Sequence, residues 1–248
     1  MEFEQATCVV TGAASGIGRA TADLLRDAGA RIVAVDRDEE RLAELPAEDL
    51  RLPADLSDAA AVAAVAVRAI EAGATHLVNA AGIVDMRRID DVDVELWERV
   101  FAVNARAVFL LCQAICPTLA AGGAVVNLSS SAAKTGSTLE GTSYAAAKAA
   151  VLSLTRSFAH AHAARGVRVN AVCPGIIETP MQDQVLAQIA AVRGTTPEAV
   201  DRARLATVPL GRAASAAECA EVVAFLLSPR AGYMTGQSVN VTGGLVME

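Results

Sequence analysis

The sequence predicts an α/β fold in which a doubly wound parallel sheet is covered on both faces by helices. Three observations predict it. Short β-rich apolar runs alternate with longer Ala-rich stretches of helical length along nearly the whole chain. The composition is 53% hydrophobic but only 3% aromatic, so the apolar content is mostly Ala, Val, Leu and Ile, the usual filling of parallel strands and the helices over them. A glycine-rich segment directly follows the first apolar run, where a strand would turn into a helix.

In chain order, strands are expected at Thr7–Val10, Arg31–Val35, His76–Val78, Ala124–Leu128, Val167–Val172 and Ser238–Val241. Helices are expected at Gly16–Ala28, Asp58–Ala72, Val94–Leu119, Ser143–Ala164 and Ala216–Leu227, several opened by Ser, Thr or Asp. The segment Glu178–Thr207 breaks this rhythm, because it is longer than a tight connection requires, and is expected to form a small helical lobe over the substrate. No linker, repeat or low-complexity block divides the 248 residues, so one domain spanning 1–248 is expected.

The formal net charge of −7 leaves no basic surface to neutralise a phosphate backbone, which argues against nucleic acid as a partner. The longest uncharged stretch, Ala107–Ala133, is interrupted by Gln113, Pro117, Gly122 and Gly123, so no membrane span is expected. The acidic N-terminus runs into a strand without the regions of a signal peptide, and a cytoplasmic location is expected. Five scattered cysteines read as reduced thiols in a core. Cys112 and Cys116 have no acidic or His neighbour to complete a metal site.

The loop Thr11-Gly12-Ala13-Ala14-Ser15-Gly16-Ile17-Gly18 has the context of a phosphate-binding turn. Gly12 would make the tight turn, Gly16 would let the backbone approach a pyrophosphate, and Gly18 would let the helix lie close to the strand. The free N–H groups and positive dipole end of that helix would face the anion. Glycines alone fit a plain turn as well; their position strengthens the reading. The second strand ends at Asp36, about 20 residues further on, where a carboxylate can bind the ribose hydroxyls of NAD and repel a 2′-phosphate, or merely cap a helix. The neighbouring Arg37 is the residue that could offset that repulsion. Asp55 and Leu56, and the run Asn79, Ala80, Ala81 and Gly82, follow strand-like segments and belong at the carboxyl edge of the sheet, where ligands bind in such folds.

Tyr144 and Lys148, four apart, share one face of a helix. An ordinary Tyr packed on a lysine stem would look the same. A Ser-rich strand end (residues 127–131) and the glycine loop favour chemistry instead. A neighbouring ammonium and a cationic nicotinamide would both favour the phenolate, making Tyr144 a usable acid/base, and a serine hydroxyl could bind the substrate oxygen.

Taken in order, these motifs resemble the short-chain dehydrogenase/reductase family over nearly the whole chain. The matching positions are the Thr11–Gly18 loop, Asn79–Gly82, Asn104, the strand-end serines, Tyr144 with Lys148, Asn170 through Pro174 and Gly175, and Thr235–Gln237. The resemblance implies a Rossmann-type fold and an NAD-dependent oxidoreductase that interconverts a secondary alcohol and its ketone. Sugar alcohols or vicinal diols are the favoured substrates, and 3-oxoacyl or another ketone reduction is the alternative. A non-catalytic NAD-binding sensor is a further reading, disfavoured by the presence of both Tyr144 and Lys148. It also implies a homotetramer and a set of roles. Tyr144 would transfer the proton, Lys148 would hold the nicotinamide ribose and lower the tyrosine pKa, and Asn104 would support a relay water unless it is only a helix-kink residue. Pro174, Gly175, Ile177 and Thr179 would close over the nicotinamide.

The serine departs from the family's pattern. The spacing of thirteen before the tyrosine points to Ser131, whereas the strand-end motif and Gly136, six residues on, point to Ser130. Ser130 is preferred, because an extra residue within Ser137–Ser143 costs little loop-closure entropy, whereas a one-residue slip along a strand turns the side chain to the other face.

Overall fold

The computed structural model describes residues 2–136 and 140–248. Seven parallel strands form the main sheet: β1 (Thr7–Thr11), β2 (Arg31–Asp36), β3 (Leu50–Pro53), β4 (His76–Asn79), β5 (Ala124–Leu128), β6 (Arg168–Pro174) and, at the far edge, the C-terminal β9 (Ser238–Val241). Their order is β3-β2-β1-β4-β5-β6-β9. A two-stranded parallel sheet of β7 (Ile177–Glu178) and β8 (Ala214–Ser215) stands apart from it.

The helices are α1 (Gly16–Asp27), α2 (Glu39–Ala43), α3 (Ala59–Glu71), α4 (Val94–Phe101), α5 (Ala107–Ile115), α6 (Ala132–Thr135), α7 (Thr142–His162), α8 (Pro180–Arg193), α9 (Pro197–Leu205) and α10 (Ala216–Leu227). Alternation along the strands decides which helix each residue meets. Cys8 and Val10 of β1 join Ala22 and Leu25 of α1 and Val223 and Leu226 of α10 in one core. Val9, between them, joins Val62 and Val65 of α3, Leu111 and Ile115 of α5 and Val151 of α7 in the other. Both faces of the sheet are thus covered, which is why its strands read as continuous apolar runs.

The expected long helix from Val94 is divided. A π-helical turn, Ala102–Arg106, joins α4 to α5, and the run ends in a 3₁₀ turn at Cys116–Thr118. Val94–Thr118 is long and apolar enough to cross a bilayer by length and composition, yet its α5 portion packs into the core against α3. The strand β3 and helix α2 were not apparent in the sequence. β3 has only four residues, half-buried or exposed, and ends in Pro53, which an edge position tolerates because no partner needs its N–H. The segment expected as a lobe is two helices, α8 and α9, each opened by a capping threonine, Thr179 or Thr196, followed by proline at the first helical position.

The sheet sets up the site. Thr11, Asn79 and Asn127 lie in register across β1, β4 and β5, so these strands end level. The strand order reverses direction at the β1–β4 pair, the switch point where loops diverge and leave a crevice. The Thr11 hydroxyl accepts from the N–H groups of Ala80 and Ala81, both at 3.1 Å, tying the two loops at that point together.

Candidate active site

One cleft of about 980 Å³ runs along the carboxyl edge of the sheet. At its first end lies the glycine loop. Gly12 and Gly16 have φ of 70° and 55°, a region that favours glycine. A Cβ on Gly12 would stand 2.9 Å from Ala81 Cα, and one on Gly18 only 2.1 Å from the Gly12 carbonyl oxygen. Helix α1 can therefore start this close to its loop only with glycine at both places. Ser15 precedes α1 without a side-chain capping bond, and the first turn carries no acidic residue. The uncapped N–H groups and the positive helix end fit a pyrophosphate. Gly12, Ser15, Gly16, Ile17 and Gly18 all line the cleft.

Asp36 is held in place at the end of β2: its carboxylate accepts from Ala14 N–H at 3.0 Å and from Asp38 N–H at 3.1 Å. Arg37, Asp55 and Leu56 line the same stretch of wall, together with Arg41, which the sequence reading had not singled out. Asp55 is engaged locally, its carboxyl held below the usual range by hydrogen bonds from Ser57.

Ala80, Ala81 and Gly82 line the cleft, whereas Asn79 and Asn104 do not. The buried Asn79 amide donates to Asn127 Oδ1 at 2.8 Å and to Cys112 Sγ at 3.4 Å, bracing β4 against β5 and α5. Its side chain therefore points into the sheet junction beneath the expected cofactor wall. Asn104 lies inside the π-helical turn, fully buried, with both bonds going to one backbone unit: Nδ2 donates to Ile83 O at 2.8 Å and Oδ1 accepts from Ile83 N–H at 2.9 Å. It clamps the segment after Gly82, and a Cβ on Gly82 would come within 2.9 Å of its Oδ1. The local unwinding of the helix is what turns this side chain toward the strand end.

At the middle of the cleft, Tyr144 and Lys148 stand on the first turns of α7, with the Lys148 Nζ 5.8 Å from the tyrosine ring centroid. Lys148 is buried and donates to the Leu128 carbonyl at 2.7 Å, while Ser129 Oγ donates to the Lys148 carbonyl at 2.8 Å. Ser130 and Tyr144 both line the cleft, and the Ser130 hydroxyl lies where it favours the ionised phenol. Ser131 also lines the cleft, but it opens α6, and its N–H donates to Pro174 O at 2.9 Å. Residues 137–139, part of the stretch expected to hold the extra residue, lie outside the described residues.

Burial pushes the Lys148 ammonium down to about 8. Burial also raises the Tyr144 phenol, and the nearby Ser130 hydroxyl only partly offsets this. The expected lowering of the tyrosine is therefore not produced by the protein groups alone, since desolvation of the phenolate outweighs them.

The far wall is formed by Pro174, Gly175, Ile177 and Thr179. A Cβ on Gly175 would meet Thr242 Cα at 2.9 Å, so glycine is needed where β6 runs past β9. Thr179 caps α8 and lies against the glycine loop, 3.2 Å from where a Gly16 Cβ would be. Beyond it the lobe adds Gln182 and Arg204, with Val84 and Met86 opposite, and Glu140 takes a bidentate bond from Arg193 at 2.8 and 2.9 Å. Sequence reasoning missed these residues because they belong to no local motif and meet only when α8 and α9 fold over the sheet.

A parallel sheet with a glycine loop at its switch point and a serine, tyrosine and lysine grouped beyond it defines a dinucleotide-dependent oxidoreductase. A family model described as enoyl-(acyl carrier protein) reductase matches residues 12–246. A 3-oxoacyl-(acyl carrier protein) reductase from Thermotoga maritima is 35% identical over 258 residues, covering 100% of both chains. A 2-keto-3-deoxy-L-fuconate dehydrogenase from Xanthomonas campestris is 34% identical, covering 96% of this chain and 79% of its own. The solved structure of a short-chain dehydrogenase/reductase of the glucose/ribitol dehydrogenase type from Brucella melitensis superimposes with a TM-score of 0.89 at 35% identity, covering 100% of this chain and 99% of that one. The chain belongs to the short-chain dehydrogenase/reductase family, oxidoreductases that act on hydroxyl and keto groups with NAD or NADP.

Proposed function

We propose that the protein is an NAD-dependent dehydrogenase that interconverts a secondary alcohol, in the polyol or vicinal-diol class, with its ketone, working in the cytoplasm as one domain over 1–248. The observation that carries this reading is the grouping of Ser130, Tyr144 and the buried Lys148 in the same cleft as the glycine loop and Asp36. NAD, when bound, supplies the hydride acceptor, and the residues that would hold it are the Gly12–Gly18 loop, Asp36 and the wall from Ala80 to Gly82, with Pro174, Gly175, Ile177 and Thr179 across from them. In alcohol oxidation the Tyr144 oxygen takes the hydroxyl proton, and in ketone reduction it returns it. The Ser130 hydroxyl holds the substrate oxygen in line with Tyr144. Lys148 places a positive charge near that oxygen, favouring the phenolate as it forms. Asn104 acts by positioning the Gly82–Ile83 edge.

The 35% identity to a 3-oxoacyl-(acyl carrier protein) reductase over the full length favours a second reading, reduction of a 3-oxoacyl thioester. NADH fluorescence with a panel of polyols, diols, simple ketones and 3-oxoacyl thioesters separates the two. Turnover of the diols or polyols supports the first reading, and turnover confined to thioesters supports the second. NAD binding with no turnover of any member would indicate a sensor.

An apolar face on α4, α5 and α7 supports a homotetramer. Trp97 and Phe109 are 38% and 37% exposed, and the Phe109 and Phe158 rings lie 6.0 Å apart at that surface.

A further inference from the structure

In the substrate half of the cleft, the Arg204 guanidinium near the end of α9 is half-buried, and its Nη1 donates to Gln182 Oε1 at 3.0 Å. Among the described residues no carboxylate forms a salt bridge with it; Asp201, one turn earlier, acts on it only at longer range. The other arginine that reaches across this lobe is treated differently: Arg193 has the bidentate Glu140 carboxylate. Desolvation lowers the Arg204 pKa, which reports the same lack of a compensating anion. A half-buried cation whose hydrogen-bond partner is a neutral amide is costly unless something else completes it.

Gln182 adds a second donor. Arginine has no acceptor, so the amide must turn its oxygen toward Arg204 and its nitrogen away. That Nε2 is buried and has no hydrogen-bond partner. The Gln182 Nε2 donor thus lacks an acceptor, and the adjoining Arg204 cation lacks an anionic partner, in the wall of the cleft that also holds Ser130 and Tyr144. A planar carboxylate can accept from both at once, as guanidinium forks commonly allow. One net positive charge matches a monoanion better than a phosphate dianion, since the nearby Arg193 is already neutralised by Glu140.

We propose that Arg204 and Gln182 form a carboxylate-binding subsite, so that the substrate pair is a hydroxy acid and its keto acid. The proposal rests on the alcohol and ketone chemistry above; the carboxylate is unchanged in the reaction and serves to hold the carbon chain with its hydroxyl at Tyr144.

The test pairs each acid with a neutral counterpart: 3-hydroxybutyrate with its methyl ester, and gluconate with glucitol. Wild type is expected to favour an acid by at least about tenfold in kcat/KM. Arg204→Met should lose about 100-fold on the acid and less than about threefold on the neutral partner, with Arg204→Lys recovering part of the loss. Preference for the neutral members, or equal losses on both, overturns the subsite, and better use of a phosphorylated polyol overturns the choice of carboxylate. Phenylglyoxal labelling of wild type, read at Arg204 by peptide mass spectrometry, separates the two levels of the argument. Slower labelling with 3-hydroxybutyrate or gluconate but not with their neutral counterparts supports the subsite even if no member of the panel is turned over, in which case the dehydrogenase reading fails alone. Unchanged labelling with both acids overturns the subsite.

Discussion

The buried Lys148 ammonium donates a 2.7 Å hydrogen bond to the carbonyl of Leu128, the last residue of β5. The bond ties helix α7 to the strand end from which Ser129 and Ser130 emerge, so the cation, the phenol and the serine hydroxyl are set by one junction rather than by three independent loops.

Tyr144→Phe is expected to bind NAD as wild type does and to lose at least about 100-fold in turnover, because it removes the proton carrier and leaves the glycine loop intact. Lys148→Ala should weaken both. Fluorescence titration of NADH together with steady-state rates checks this; a Phe variant retaining more than about a tenth of the wild-type rate would take Tyr144 out of the proton transfer.

Ser130 is the serine whose hydroxyl acts on the Tyr144 phenol, and Ser131 opens α6. Ser130→Ala is therefore expected to lower kcat by about 100-fold, and Ser131→Ala by only a few-fold. A larger loss at 131 would show that the extra residue of this chain lies before Gly136.

Asp36, held by the Ala14 and Asp38 amides, should exclude a 2′-phosphate and make NAD preferred over NADP. Asp36→Ala should narrow the ratio of kcat/KM values by about tenfold or more, with Arg37 beside the site to pair with the phosphate. Comparable use of both cofactors by wild type would contradict the assignment.

Burial holds Lys148 at about 8, below its ordinary 10.5. Between those values the unfolded chain keeps a proton that the native chain has released, so this residue contributes stability that rises with pH across the window and is lost as pH falls through about 8. Lys148→Met removes the titration. Relative to wild type, the variant should therefore gain Tm as pH falls from 10.5 to 8, and a difference independent of pH over that range would contradict the burial argument.

The apolar face carrying Trp97, Phe109 and Phe158 is expected to be buried between subunits. Light scattering should give the mass of four 25.4 kDa chains, and Phe109→Asp should reduce it. A wild-type mass near one chain at micromolar concentration rules the tetramer out.

Much of this was legible in the sequence because it is local. The glycine loop works through backbone conformation and missing Cβ atoms, Tyr144 and Lys148 share a face by helical spacing, and six of the seven sheet strands and the helices covering it follow from hydrophobic period and capping residues, with ends shifted by one or two positions. Asn79 and Asn104 were found as motif positions, yet only the packed chain shows the first bracing β4 against β5 and the second clamping Ile83 from a π-helical turn, because a hydrogen-bond partner distant in sequence leaves no periodic signal. The direction of the Tyr144 shift was likewise decided by tertiary structure: spacing shows which charge is near, but desolvation depends on everything packed around the phenol. Arg204 and Gln182 lie twenty-two residues apart on two helices, and nothing in the local sequence distinguishes that arginine from Arg193. Only the fold gives Arg193 a carboxylate and leaves Arg204 with an amide, since charge pairing depends on distances that chain topology sets.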